Sequence, residues 1–95
     1  MFDWDLRKAQ SNRHKHGVSF EEAATAFLDP DGLDGEDFDH SASEPRRLRL
    51  AKSSLGRVLL VAYTIRSENH EETTRIISAR RASRKERKRY EVDEN

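Results

Sequence analysis

Ninety-five residues make one domain (1–95), and a chain this short buries only about 60–65% of the surface it exposes when unfolded. With 34% hydrophobic and 38% charged residues the core is small, and the lack of cysteine excludes disulfides and thiolate metal sites and favours a reducing compartment. The net charge is zero but unevenly spread: Asp29 to Glu44 holds seven acids and no Lys or Arg, whereas Arg75 to Tyr90 holds eight basic residues against one acid, Glu86.

Phe2-Asp3-Trp4 is a short extended start, with Trp4 an expected core anchor. Asp5 is a good N-cap, Leu6 to His16 is rich in helix formers, and Gly17 suits the residue that ends a helix. Its apolar stripe is weak, which predicts a surface helix. Ser19-Phe-Glu-Glu22 is a capping box, with Val18 and Ala23 placed for a hydrophobic staple. Phe20, Ala23, Ala24, Phe27 and Leu28 then recur at helical spacing, so a second helix should turn that face to the core until Asp29-Pro-Asp-Gly32 ends it.

The acidic stretch to Pro45 has little to bury, and reads as a loop or a short exposed edge strand. Arg47 to Leu50 alternates as a half-buried strand does. Ser53 to Gly56 is a turn, and Val58 to Ile65, nearly continuous and β-branched, reads as a central strand buried on both faces. Arg66 to Glu72 is expected as a charged hairpin loop and Thr73 to Arg80 as a further strand. Ser83-Arg-Lys-Glu86 is a second capping box, opening a basic helix through Tyr90. The predicted fold is α+β: two helices, an antiparallel sheet of three or four strands, and a short C-terminal helix.

Chemistry concentrates in the basic half. Guanidinium groups contact phosphate in pairs of hydrogen bonds, and Arg75 and Arg80 are carried on rigid backbone. Ser83 opens a helix, where free N–H groups attract anions, and Arg81, Arg84 and Arg87 extend the basic surface. His16 is the acid–base candidate, because an imidazole exchanges protons near neutral pH, and Lys15 beside it can stabilise phosphate charge. His40 lies between acids, but Asp37 and Asp39 sit in a predicted loop without a paired motif, so no metal site or cofactor is expected.

Trp4-Asp5, Lys8, Asn12 and Lys15-His-Gly-Val18 leading to Phe20, together with Tyr63-Thr64, Arg66, Arg75-Ile-Ile-Ser-Ala-Arg80, Ala82, Arg84, Glu86, Arg87 and Tyr90-Glu91, resemble the BrnT family of toxins. The resemblance covers nearly the whole chain. It implies a type II toxin–antitoxin module and a fold similar to RelE-like ribonucleases. It further implies RNA cleavage that blocks translation, and a BrnA-like antitoxin through which alone operator DNA is contacted.

On that basis the expected reaction is metal-independent transfer of the phosphodiester to the substrate's own 2′-hydroxyl. Arg75 and Arg80 are assigned to phosphate stabilisation, with Lys15 and Arg66 assisting. His16 is the acid or base, and Tyr90 positions or stacks. In a regular strand Arg75 and Arg80 point to opposite faces, so both serve one site only if the strand ends or bulges between them. The expected location is cytoplasmic, since no apolar run approaches the roughly 20 residues of a membrane span and Met-Phe-Asp-Trp-Asp is no signal peptide. The small core leaves room for a homo-oligomer within the complex. Two competing readings use the same residues: a nucleic-acid- or partner-binding module without catalysis, and an acidic segment that docks on a basic partner.

Overall fold

Helix formation begins where Asp5 sets a carboxylate beneath two unpaired amides. Its Oδ1 accepts from the N–H of Arg7 at 2.8 Å and of Lys8 at 3.1 Å, opening α1 (Leu6–His16). Gly17 closes the helix at φ 68°, its N–H donating to the Arg13 carbonyl. The weak apolar stripe of α1 is compensated by one buried amide. Asn12 donates through Nδ2 to the carbonyls of Val18 (3.0 Å) and Ala79 (2.7 Å), and its Oδ1 accepts from Ala79 N–H at 3.0 Å.

The computed structural model describes residues 1–40 and 44–94, with side chains as far as Val92, and residues 41–43 of the predicted acidic loop lie outside the described residues. In α2 (Phe20–Thr25) Ser19 Oγ accepts from Glu22 N–H at 3.0 Å, as the capping box predicts. The reciprocal arm is not made, because the Glu22 carboxylate turns instead to Arg57 and Ser53. From Ala26 to Leu28 the chain tightens into a 3₁₀ turn, and the altered pitch swings Leu28 into solvent, 83% exposed. The expected apolar face therefore ends at Phe27.

The strands are β1 (Phe2–Asp3), β2 (Leu33–Glu36), β3 (Arg47–Lys52), β4 (Val58–Glu68) and β5 (Glu71–Arg81), in the order β1-β5-β4-β3-β2. The antiparallel sheet of three or four strands is thus corrected to a mixed sheet of five among the described residues. The extended start pairs parallel with β5, and the acidic segment supplies the antiparallel edge strand β2. The predicted loop from Arg66 to Glu72 is also corrected. Both strands run through it to a two-residue turn at Asn69 and His70, whose φ values of 51° and 68° match the twist of a hairpin. After β5, α3 (Arg84–Glu94) opens with both arms of its capping box: Glu86 N–H donates to Ser83 Oγ, and Ser83 N–H to Glu86 Oε1.

One face of the sheet carries the core. Leu59, Val61, Ile76 and Ala79 pack with Val18, Phe20 and Ala23 from the helical side, and Trp4 meets Phe20 edge-on at 5.9 Å. A β-bulge decides what the other face displays. Ala62 is opposite Ser78 and Tyr63 opposite Ile76, so Ile77 is the extra residue. The shift puts Arg75 opposite Thr64 and Arg80 opposite Leu60, on one face rather than two. That second face is open at one end and crossed by α3 at the other.

Candidate active site

Alternation along β4 sends Thr64 and Arg66 to the open face, and the bulge sends Arg75 there too. Arg66 and Arg75 are diagonal neighbours across two antiparallel strands, a spacing of roughly 7–8 Å. Lys8 from the first turn of α1, Arg46 before β3, and His40 and Glu44 from the acidic segment complete a cleft of about 160 Å³. The backbone joins the last group: Asp37 N–H donates to the Arg46 carbonyl at 2.8 Å, which holds the turn carrying His40 beside β3.

Arginine is thus held in place by single weak pairs. Arg75 lies 3.2 Å from Asp3, and Arg66 lies 3.5 Å from Glu44. Such partly hydrated pairs exchange readily for a phosphate. The Thr64 hydroxyl first, and then the Arg66 guanidinium, hold the Glu44 carboxyl below its ordinary range against the opposing effect of burial. Thr64 itself is buried and makes no hydrogen bond of ordinary geometry to a described group. His40 Nδ1 sits 3.1 Å from both carboxylate oxygens of Asp37, a contact that orients the ring. No third carboxylate or imidazole joins this pair among the described residues.

The other residues singled out in the sequence lie elsewhere. Arg80 shares the face of Arg75, but its guanidinium is taken by Glu86 at 2.8 and 2.9 Å. That pairing draws the Glu86 carboxyl down to about 2. Lys15 is exposed and His16 half-buried at the far end of α1, some 12 Å along the helix axis from Lys8. Tyr90 is buried, with its hydroxyl donating to Asp29 Oδ2 at 2.6 Å, so it anchors α3 rather than facing the cleft. Ser83 is occupied as a helix cap, and Arg81, Arg84 and Arg87 are exposed on or just before α3.

The structure therefore unites Arg66 and Arg75, and adds Lys8, His40, Glu44 and Arg46, which sequence reasoning did not assign to a site. Only Lys8 had a signal, as part of the N-terminal motif. The other three come together through strand pairing, which no local pattern announces.

Residues 4–86 match the sequence model of a family described as "Ribonuclease toxin, BrnT, of type II toxin-antitoxin system". The chain belongs to the BrnT family. The matched span takes in the cleft and both capping boxes and stops at Glu86, where the basic surface of α3 begins. The fold is similar to the 1.1 Å crystal structure of the Brucella abortus ribonuclease toxin BrnT. The TM-score is 0.64 over 88% of this chain and 99% of that one, at 22% identity. No curated protein matches the sequence. As a BrnT toxin of a type II module the chain has an antitoxin as its partner. No helix among the described residues is long and apolar enough to cross a membrane.

Proposed function

We propose that this BrnT-family chain is an endoribonuclease whose open-face cleft holds the scissile phosphate, and that it works without a metal ion. The observation that carries this reading is the pairing of β4 with β5, which sets Arg66 and Arg75 side by side with Lys8 and Arg46 at the cleft rim. These cations supply the positive charge that a pentavalent phosphate requires, the task a metal performs in other nucleases.

The reaction is internal transfer. The RNA 2′-hydroxyl loses its proton, O2′ bonds to phosphorus, and the bond from phosphorus to O5′ breaks as O5′ takes up a proton. A 2′,3′-cyclic phosphate and a 5′-hydroxyl result. Glu44, kept ionised by Thr64 and Arg66, is the acceptor for the 2′-proton, and His40, oriented by Asp37, is the donor to O5′. Arg80 and Tyr90 serve as positioning residues, since each fastens α3 to the sheet or its flank. Lys15 and His16 have no place in this scheme.

Membership of the family supports a wider proposed role: RNA cleavage that stops translation, silenced by a BrnA-like antitoxin that alone contacts operator DNA. Growth after controlled expression, with and without the neighbouring gene, tests the module. Incubation of the purified protein with RNA in EDTA tests the chemistry. Cleavage in chelator, with cyclic phosphate ends, is expected. Intact RNA, or cleavage restored only by added divalent ions, would overturn the metal-free scheme.

A further inference from the structure

A second cationic hollow lies beyond α3, at the end of the sheet where β3 turns into β4, opposite to the Asn69–His70 hairpin. It measures about 400 Å³ and is lined by Lys52, Arg57, Arg81 and Arg87, with Tyr90 at its side and Glu91 as its one acid. Two of these cations are fixed in advance. Arg57 is bonded through Nε and Nη2 to the buried Glu22 carboxylate and through Nη2 to the Gly17 carbonyl, leaving Nη1 without a hydrogen bond to a described group. Lys52 holds its ammonium 5.9 Å from the centroid of the Tyr90 ring. Arg81 and Arg87 are exposed, and Arg81 is close enough to Glu22 to lower that carboxyl.

We infer that this hollow is a second phosphate site, which grips the backbone of an RNA strand several nucleotides away from the bond that is cut. Val58 lines the hollow and Thr64 lines the cleft. They lie six residues apart on one strand, so about 20 Å separates the two sites. Val58 and Lys52 stand on the cleft's side of the sheet, and Arg57 and Arg81 reach the hollow at the sheet's end from the helical side. Between them the outer surface of α3 carries Arg84, Lys85 and Lys88, all exposed. The strand thus meets positive charge along the whole path, and the span falls within the ~4–16 nucleotides that single-strand-binding surfaces cover. The lining is guanidinium and ammonium rather than apolar side chains, which suits phosphate better than a protein segment. The ligand, RNA, rests on the ribonuclease reading above.

The test uses 2′-O-methyl RNA, which cannot be cleaved, so binding is read apart from turnover. A dinucleotide and an oligomer of about twelve nucleotides are titrated against the wild type and the double variant Arg81→Ala/Arg87→Ala across salt concentrations. For the long RNA, affinity should fall about tenfold and the slope of log affinity against log salt should become shallower by about 1.4, the value for two lost contacts to a single strand. The ratio of long- to short-RNA affinity should fall with it. Arg81→Lys/Arg87→Lys should keep the slope, because each contact retains its charge. Unchanged binding, or equal losses for both lengths, would overturn the inference. So would intact RNA binding with lost antitoxin affinity, which would make the hollow a protein interface. If the wild type cuts no RNA but the double variant still loses salt-dependent binding, the cleavage scheme fails and the phosphate site stands.

Discussion

Two charged regions dominate this chain, and the fold treats them in opposite ways. The acidic run is largely consumed inside the molecule. Asp29 accepts from Tyr90 Oη and from Lys52 N–H, Asp34 bonds Arg49 and Tyr63, and Asp37 holds His40. The basic run is mostly turned outward: Arg81, Arg84, Lys85, Arg87, Lys88 and Arg89 are exposed. A charge run in a sequence therefore has no fixed meaning. What matters is whether residues of opposite charge or hydroxyl donors meet it within the fold. Here the acids act as internal fasteners, and the bases are left for an anionic partner.

Substitutions can break that contrast, starting where the effect is greatest. Arg75→Ala removes a cation from the cleft and should reduce RNA cleavage by about 100- to 1,000-fold. Its one ion pair among the described residues is with the half-exposed Asp3, so stability should shift by no more than about 1 kcal/mol. Single-turnover cleavage alongside denaturant unfolding reads both. Asp34→Ala should show the reverse. It strips an acceptor from Arg49, whose side chain is 11% exposed, and from the Tyr63 hydroxyl, at a cost of about 2 kcal/mol in unfolding free energy.

A subtler effect concerns Glu86. Its folded value, about 2, lies below its ordinary 4.5, so the Arg80 pair stabilises the fold fully above 4.5. That contribution is lost as the pH falls toward 2. Denaturant midpoints followed through this window should decline less steeply in Glu86→Gln than in the wild type. The difference should be modest, because both side chains are partly in water. The smallest effect is expected for Asp39→Asn. Asp39 belongs to the acidic run but is exposed and makes no described bond, so its stability should stay within about 0.5 kcal/mol of the parent. A larger loss there would mean that the acidic run stabilises by its collective field rather than by its individual bonds.

Much of the scaffold was legible because its signals are local. Asp5, Gly17 and the two Ser-x-x-Glu boxes mark helix ends by hydrogen bonds made within a few residues, and the apolar run of β4 announces a central strand. Phe2–Asp3 was legible as extended chain but not as a member of the sheet, because a two-residue strand exists only through the edge of β5 that it joins. The turn at Asn69 and His70 lacks the glycine that usually reveals a hairpin, and its flanking charges read as loop. The site was legible by half. Arg75 stood out as a cation on a strand and Arg66 only through the family resemblance, from a stretch expected as loop, whereas His40, Glu44 and Arg46 reach the cleft only through long-range pairing. His16 looked suitable by its chemistry, but α1 carries it toward the wrong end of the sheet.

The unpaired Ile77 acts as a spacer whose value is its count and not its side chain. Deleting it would leave every other pair of the ladder in place and Arg75 still on the side of Arg80, whereas a ladder that took Ile77 in as a regular member would turn Arg75 away, with the net charge unchanged. The bulge thus acts on this strand as a skipped letter acts on a reading frame: five residues of sequence are read as four, and Arg75 comes out on the side where it meets Arg66.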